Sequence, residues 1–239
     1  MNDDMWGNYD KFKTDSEDAI NFYSHVKHCL LFGLDKILTG DKVSRAIDVG
    51  CGNGDLTKLL LDYAEKVDAV DLSPTLIDKA KAKKELTDID FHCGNFLDFE
   101  SKEKYDLVTA LWFHHQVSTV EDQNKIKNKI TEMLTDQGRF VFLIPSAAYS
   151  GHRVIEFFRK IKFPNLIVDT YPQYDHLLYT FDKVEWADYA PWQPSCIYNL
   201  YKDDFDMDFV DVIKIMVEQG HLTDVYTTSP FDILIGRRK

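Results

Sequence analysis

The feature that most constrains the fold is a glycine-rich loop that directly follows a short apolar run. Residues 46–49, with the sequence AIDV, have the composition of a buried strand, and residues 50–54, with the sequence GCGNG, follow at once. Leu56, Leu59 and Leu60 then predict a helix that begins directly after the loop. A strand, a glycine loop and a helix in this order form an anion or nucleotide site, because backbone N–H groups and the helix dipole converge there.

The rest of the chain alternates between strand and helix patterns. Strands are predicted at 46–49, 67–72, 89–93, 105–111 and 139–144, and helices at 14–40, 74–84 and 126–134. A further helix is predicted to begin at Asp208 and to end near Gly220, and two short strands, 222–227 and 231–236, meet at a Ser-Pro turn and must run antiparallel. Such alternation predicts an α/β fold with a doubly wound, mostly parallel sheet and an antiparallel C-terminal strand.

The length of 239 residues suits one domain, which we divide into four parts. Residues 1–40 form an N-terminal helical cap, 41–145 the core that carries the glycine loop, 146–207 an insertion, and 208–239 a C-terminal helix and hairpin. The insertion is expected to act as a lid, because residues 149–209 hold 15 of the 32 aromatic residues and have a weak strand–helix rhythm.

Charge and cysteine usage exclude several classes of partner. The net charge is −12, whereas nucleic acids and anionic membrane surfaces are bound by clustered Lys and Arg. The four cysteines include no C-x-x-C pair, so neither a disulfide framework nor a structural zinc site is expected. The first six residues lack the basic and apolar regions of a signal peptide, and no apolar run reaches membrane-spanning length. These features predict a cytoplasmic protein, a monomer or weak homodimer, with a small-molecule substrate.

Two carboxylates distinguish the loop from a dinucleotide-binding fingerprint. That fingerprint requires Gly or Ala at position 55 for close packing of the helix, and this chain has Asp55. Asp48, next to the loop, would repel a pyrophosphate but suits a ligand that carries an ammonium group. An NAD-dependent oxidoreductase is therefore disfavoured.

Five segments resemble, in order, the motifs of class I S-adenosylmethionine-dependent methyltransferases of the small-molecule type. They are 46–54 (AIDVGCGNG), 70–73 (VDLS), 93–96 (CGNF), 105–111 (YDLVTAL) and 134–140 (LTDQGRF). The resemblance implies a Rossmann-like fold and S-adenosyl-L-methionine as the cofactor. It departs from the family at Asn95, where an Asp is usual, although an Asn carbonyl can still accept a hydrogen bond from the adenine amino group.

The resemblance also implies the residues of the cofactor site. Asp71 would accept hydrogen bonds from both ribose hydroxyls. Asp48 would contact the methionine ammonium or, alternatively, stabilise the loop. The other implied cofactor residues are Gly50, Cys51, Gly52, Gly54, Leu72, Asn95, Phe96 and Leu111, together with Trp6 and Tyr9, which would cover the methionine end or serve as packing anchors.

The catalytic and substrate residues are expected after the fourth strand and in the lid. His115 or His114 is a candidate general base, the alternative being a packing or hydrogen-bonding role. The catechol-type subgroup would need an Asp cluster where this chain has residues 112–115 (WFHH), so no metal is expected. The candidate substrate residues are Trp112, His152, Arg153, His176, Tyr179 and Trp186.

The acceptor is the least constrained part of the prediction. Ten acids and two lysines lie between Asp169 and Asp211, interleaved with aromatic residues, and this pattern favours a cationic amine. Arg153 and Arg159 would instead clamp a carboxylic acid. The sequence thus predicts N-methylation of a small amine, with O-methylation of a carboxylic acid or a non-catalytic S-adenosylmethionine-binding protein as alternatives.

Overall fold

The structure, a computed structural model, describes most of the predicted core and part of the insertion. The described residues are 17–40, 42–117, 119–145, 167–171, 176–181, 184–189, 194–210, 212 and 231–239. Between 167 and 189 only the backbone is described.

A seven-stranded sheet forms the centre of the described part. Its strands are β1 (Val43–Val49), β2 (Ala64–Asp71), β3 (Ile89–Cys93), β4 (Tyr105–Leu111), β5 (Leu134–Pro145), β9 (Phe205–Val210) and β10 (Phe231–Arg238). They are ordered β3-β2-β1-β4-β5-β10-β9, with the first five parallel and the last two antiparallel to their neighbours. The predicted mixed, doubly wound sheet is confirmed. Its strand order reverses beside β1, so the loops after β1 and β4 diverge and leave a crevice there.

Helices cover both faces of this sheet. They are α1 (Glu17–Ile37), α2 (Pro74–Lys81), α3 (Val120–Met133) and α4 (Pro194–Tyr201). The apolar residues of α1 and α2 join one buried cluster, and those of α3 and α4 join another on the opposite face. α2 begins as predicted at a proline, and the Ser73 side chain accepts a hydrogen bond from the backbone N–H of Leu76.

The helix predicted directly after the glycine loop is instead a 3₁₀ helix, Thr57–Asp62. Thr57, Leu59 and Leu60 are its buried residues, and they anchor it to the core. Short 3₁₀ segments also occupy Lys84–Leu86, Phe96–Asp98 and His114–Gln116.

One predicted boundary near the C-terminus is wrong. The helix expected from Asp208 does not begin there, because residues 205–210 form β9 at the edge of the main sheet. Val212 is helical. Residues 213–230, including the expected strand at 222–227, lie outside the described residues. β10 pairs with β9 and β5.

The end of the predicted insertion also belongs to the main domain. Ile197 and Tyr201 of α4 and Phe205 of β9 are buried in the core cluster on the α3 face. Three strands of the insertion, β6 (Ile167–Tyr171), β7 (His176–Phe181) and β8 (Val184–Tyr189), form a separate antiparallel sheet. The backbone of β8 approaches the 3₁₀ turn His114–Gln116 at the end of β4.

Candidate functional site

The glycine loop after β1 adopts backbone conformations that only glycine accepts readily. Gly50, Gly52 and Gly54 have φ of +74°, +55° and +78°, in the left-handed region. The N–H groups of Gly50 and Cys51 donate to the Val70 carbonyl at 2.8 and 3.2 Å, and the Gly54 N–H donates to the Cys51 carbonyl at 3.0 Å. The loop is therefore a compact coil held against the carboxyl end of β2.

Asp71, the last residue of β2, connects this loop to the next one. Its Oδ2 accepts from the Gly52 N–H at 2.8 Å, and its Oδ1 accepts from the Ser73 N–H at 2.9 Å. Burial raises the pKa of Asp71, against the lowering effect of these two hydrogen bonds. Each carboxylate oxygen has a further lone pair, so the group can still accept hydrogen bonds from a diol.

Asp48 has a different environment from the one expected for a ligand contact. It is 2% exposed, and its two oxygens accept from the Thr57 and Thr109 hydroxyls at 2.6 and 2.7 Å. Burial raises its pKa to about 6. Asp48 thus joins β1, β4 and the 3₁₀ helix after the loop, which favours the loop-stabilising alternative over contact with an ammonium group.

Lys83 fixes the outer side of the glycine loop. Its ammonium donates to the Asn53 carbonyl at 2.8 Å and pairs with the Asp55 carboxylate at 2.5 Å. Position 55, where a dinucleotide fingerprint has a small residue, here carries one partner of an ion pair that holds the loop.

The segment after β3 places its two predicted cofactor residues differently. Asn95 is exposed beside the loop, and its Oδ1 accepts from the Leu97 N–H at 3.0 Å. Phe96 is buried in the core, where its ring meets Phe113 and the Lys129 ammonium, so its surroundings favour a packing role for the side chain. Leu72, which follows Asp71, is 41% exposed and offers an apolar surface at this edge.

The end of β4 forms a strained turn. Leu111 is buried, and Trp112 has φ of +53°, an unusual conformation for a bulky residue. The Trp112 N–H donates to the Leu143 carbonyl at 3.0 Å, and its ring meets Phe231 of β10 edge to face. The partly buried Trp112 therefore lies between the ends of β4, β5 and β10. The loop after β4 and the glycine loop after β1 lie at this same edge of the sheet.

His114 and His115 have the surroundings of structural residues. They are 1% and 3% exposed, and burial lowers their pKa values to about 4 and about 3. The His114 Nδ1 lies 2.9 Å from Oε1 of Gln123, and the His115 Nε2 lies 2.6 Å from Nε2 of Gln116. Such weakly basic, enclosed rings fit the packing and hydrogen-bonding alternative better than a general base.

Several predicted site residues lie outside the described part of the chain. These are Trp6, Tyr9, His152 and Arg153. His176, Tyr179 and Trp186 lie on β7 and β8, of which the backbone alone is described.

Sequence reasoning missed five residues that support the loops of the site through hydrogen bonds and packing. They are Thr57, Thr109, Lys83, Phe113 and Gln123. Thr109 carries a signal that was available, since it is the one hydroxyl in the apolar end of β4 and lies in register with Asp48 on β1. The others become visible only when the loops fold together.

The described residues offer neither a metal-binding cluster nor a membrane-spanning helix. They contain no group of three or more His, Cys, Asp or Glu side chains that could hold a metal ion. Among the same residues, no helix has both the length and the apolar character needed to cross a membrane.

Comparison with known proteins agrees with this geometry. Residues 46–138 match a family model described as a methyltransferase domain. A malonyl-(acyl-carrier protein) O-methyltransferase of Acetivibrio thermocellus is 34% identical over 53% of this chain and 46% of its own length. An uncharacterized methyltransferase of Staphylococcus carnosus is 31% identical over 54% of this chain and 62% of its own length. The chain thus spans about half the length of these relatives.

Solved structures share the fold over most of the chain. The PH0226 protein of Pyrococcus horikoshii superposes with a TM-score of 0.69 and 15% identity, covering 94% of this chain and 93% of its own. The N-methyltransferase NodS of Bradyrhizobium japonicum, in complex with S-adenosyl-L-homocysteine, superposes with a TM-score of 0.59 and 15% identity, covering 94% and 89%. Residues 46–138 of this chain thus match a methyltransferase domain in sequence, and the fold around them is shared with solved methyltransferases.

Proposed function

We propose that the chain catalyses S-adenosylmethionine-dependent methyl transfer to a small molecule. The observation that carries the proposal is the closure of the glycine loop on Asp71, through the Gly52 N–H, at the carboxyl edge of the sheet. This leaves a carboxylate with free lone pairs beside a glycine coil and an exposed apolar residue, Leu72. That set of groups fits a ligand with a ribose diol next to a flat adenine ring.

The chain's own contribution to the reaction is binding and orientation. When bound, S-adenosylmethionine supplies a methyl group that is already activated as a sulfonium. Asp71 would hold the ribose, the coil of Gly50–Gly54 would enclose the methionine side, and the turn at Trp112 would form the wall toward the acceptor. Holding two reactants in line is the main source of rate in such a displacement.

Calorimetry with S-adenosyl-L-homocysteine tests the cofactor assignment. Asp71→Ala would lose two charge-assisted hydrogen bonds, each worth about 1.5–3 kcal/mol, so its affinity should fall at least about tenfold. Asp78→Ala is a suitable control, because Asp78 is an exposed aspartate on the neighbouring helix α2. A folded Asp71→Ala protein that binds as tightly as the wild type would refute the assignment.

A small amine is the proposed acceptor. The support is the composition of the insertion, where ten acids and two lysines between 169 and 211 give a local charge of −8 among aromatic residues. Such a field raises the local concentration of a cation, and aromatic faces attract it by about 0.5–2 kcal/mol per contact. NodS, a neighbour in fold, is named an N-methyltransferase.

A carboxylic acid is the second candidate, and the two histidines favour it. A carboxylate needs no base, whereas an ammonium group must lose a proton before it can attack. His114 and His115 are buried and weakly basic, with pKa values of about 4 and about 3. A relative in sequence is named a malonyl-(acyl-carrier protein) O-methyltransferase.

A competition assay separates the two acceptors. Matched pairs of amines and carboxylic acids of the same skeleton are offered at low salt with methyl-labelled S-adenosylmethionine. Label on the amines supports the amine proposal, and label on the acids alone supports the second candidate. If the protein binds S-adenosyl-L-homocysteine but labels neither class in a broad screen, the non-catalytic alternative takes their place.

A further inference from the structure

A buried amide on helix α3 grips the turn that ends β4. Gln123 is 1% exposed, and its Nε2 donates to the backbone carbonyl of His114 at 2.6 Å. Its Oε1 lies 2.9 Å from Nδ1 of the His114 ring, which donates to it when Nδ1 carries the proton. One side chain therefore fixes both the backbone and the ring of the same residue.

The helix end that carries Gln123 is itself firmly fixed. Thr119 caps α3, and its hydroxyl oxygen accepts from the Asp122 N–H at 3.0 Å. The Gln123 N–H donates to the Thr119 carbonyl at 3.1 Å. The amide thus extends toward His114 from the first turn of a capped helix, where its backbone position is well defined.

The turn that Gln123 holds contacts the glycine loop, residues 50–54. Phe113, next to His114, lies so close to Gly50 that a Cβ on that glycine would be 3.0 Å from Cδ2 of the Phe113 ring. The same ring meets Phe96 edge to face, with centroids 6.0 Å apart, in the segment after β3. A shift of the turn would move the ring that supports both the glycine loop and the segment expected to hold adenine.

The turn would also relax without an outside restraint. Trp112, one residue before Phe113, has φ of +53°, and such strain persists only where surrounding contacts impose it. The hydrogen bond from the Trp112 N–H to the Leu143 carbonyl holds one end of the turn, and the Gln123 amide holds the other.

We propose that Gln123 is a positioning residue for the cofactor site, acting through His114 and Phe113 on the loop at Gly50. The inference rests on the proposed function only in that the loop binds S-adenosylmethionine. The side-chain hydrogen bonds of Gln123 go to His114 and not to the loop. Gln123 sets the cofactor affinity by holding the turn against the loop.

The test is the dissociation constant of S-adenosyl-L-homocysteine in variants of α3, measured by calorimetry well below their unfolding temperatures. Gln123→Met keeps the length of the side chain and removes both hydrogen bonds, and it should weaken binding at least about fivefold, the lower end of typical coupling between sites. Asn124→Met makes the same kind of change at the adjacent, exposed position of the helix and should bind as the wild type does.

A double variant separates positioning from general destabilisation. His114→Phe combined with Gln123→Met replaces both polar partners by apolar groups in the aromatic cluster, which should restore much of the stability. The affinity should stay low, because the backbone carbonyl of residue 114 still lacks the donor that holds the turn. Recovery of the affinity together with the stability would mean that Gln123 has a packing role only, and would overturn the inference.

Phe113→Leu keeps the inference testable if the Gln123 variants do not fold. This change leaves the two hydrogen bonds of Gln123 in place and removes the ring that lies against Gly50, so it too should weaken binding of S-adenosyl-L-homocysteine. Wild-type affinity in folded Gln123→Met or, failing that, in Phe113→Leu overturns the inference while the proposed function stands. A wild-type protein that does not bind S-adenosyl-L-homocysteine overturns both, and that result is read before any variant is made.

Discussion

The buried carboxylate of Asp48 makes the stability of this protein depend on pH in a specific window. In the folded chain its pKa is about 6, against an ordinary value of 3.8, and desolvation is the main cause. The unfolded chain therefore releases this proton at a lower pH than the folded chain does. Stability from this group is fully present below about pH 4 and is lost as the pH rises through about 6, because the folded state binds more protons across that range.

The size of the effect follows from the difference between the two pKa values. A difference of roughly two pKa units corresponds to about 3 kcal/mol, at about 1.4 kcal/mol per unit. Asp48→Asn removes the titration but keeps the shape, and a rotated amide can still pair with the hydroxyls of Thr57 and Thr109. The variant should gain stability relative to the wild type as the pH rises, by up to about 3 kcal/mol above pH 6.

Urea unfolding at intervals between about pH 4 and about pH 8 measures this directly, provided that unfolding is two-state. The difference in free energy of unfolding between Asp48→Asn and the wild type should widen up to about pH 6 and then stay level. Asp78→Asn, an exposed change on α2, corrects for the loss of one negative charge. A difference that is the same at every pH would refute the idea that burial raises the pKa of Asp48.

Two further predictions test the loop and its surroundings. Exposed Cys93, which is in register with Asp71, should react with a maleimide and should be protected by S-adenosyl-L-homocysteine, as mass spectrometry of labelled peptides will show. Exposed Cys196 should react without gaining protection, and buried Cys29, with its pKa raised to about 12, should not react. A Cys93 that the ligand does not protect would argue against the proposed site. Gly54→Ala would place a Cβ 2.8 Å from Leu86 and 3.1 Å from Phe91 at a φ of +78°. It should therefore lower the free energy of unfolding by more than left-handed strain alone, which costs about 1–2 kcal/mol. At Gly40 an added Cβ would meet nothing within 4 Å, so equal losses of stability in Gly40→Ala and Gly54→Ala would contradict the packing argument.

The parallel half of the sheet could be predicted from sequence because its signals are local. Predicted strands 89–93 and 105–111 coincide with β3 and β4, since residues 89–93 (IDFHC) alternate between apolar and polar side chains and residues 107–111 (LVTAL) are mostly apolar. The glycine loop and Asp71 likewise follow from residues within one strand–loop–helix unit. Parallel strands buried on both faces leave little freedom in reading such a pattern.

The edge of the sheet was misread because two periodicities overlap there. Phe209, Val212, Ile213 and Met216 have helical spacing, and this predicted a helix from Asp208. Residues 205–209, with the sequence FDMDF, alternate between apolar and acidic side chains, which is the pattern of an exposed edge strand. Pairing with β10 decides between them, and that partner is remote in sequence.

Side-chain direction and basicity could not be read from motifs at all. Phe96 follows Asn95 in a segment that resembles the adenine-contacting motif, yet its ring points into the core against Phe113. His114 and His115 occur where a base would be useful, but burial lowers their pKa values, and His114 is covered by Gln123 of α3 and Tyr201 of α4. Both outcomes depend on side chains that pack over the residue, and these side chains lie outside the motif that suggested its role.

The residues proposed for the cofactor and those proposed for the acceptor lie in different segments of the chain. The groups that would hold the cofactor lie between Asp48 and Asn95, inside the segment 46–138 that matches the family model. The insertion sheet of β6–β8 comes after that segment, and the backbone of β8 approaches the turn at His114–Gln116. The amine proposal rests on the charge of the insertion, whereas the cofactor proposal rests on the sheet and its glycine loop. The competition between amines and acids therefore tests the insertion, with its excess of acids over bases, rather than the core.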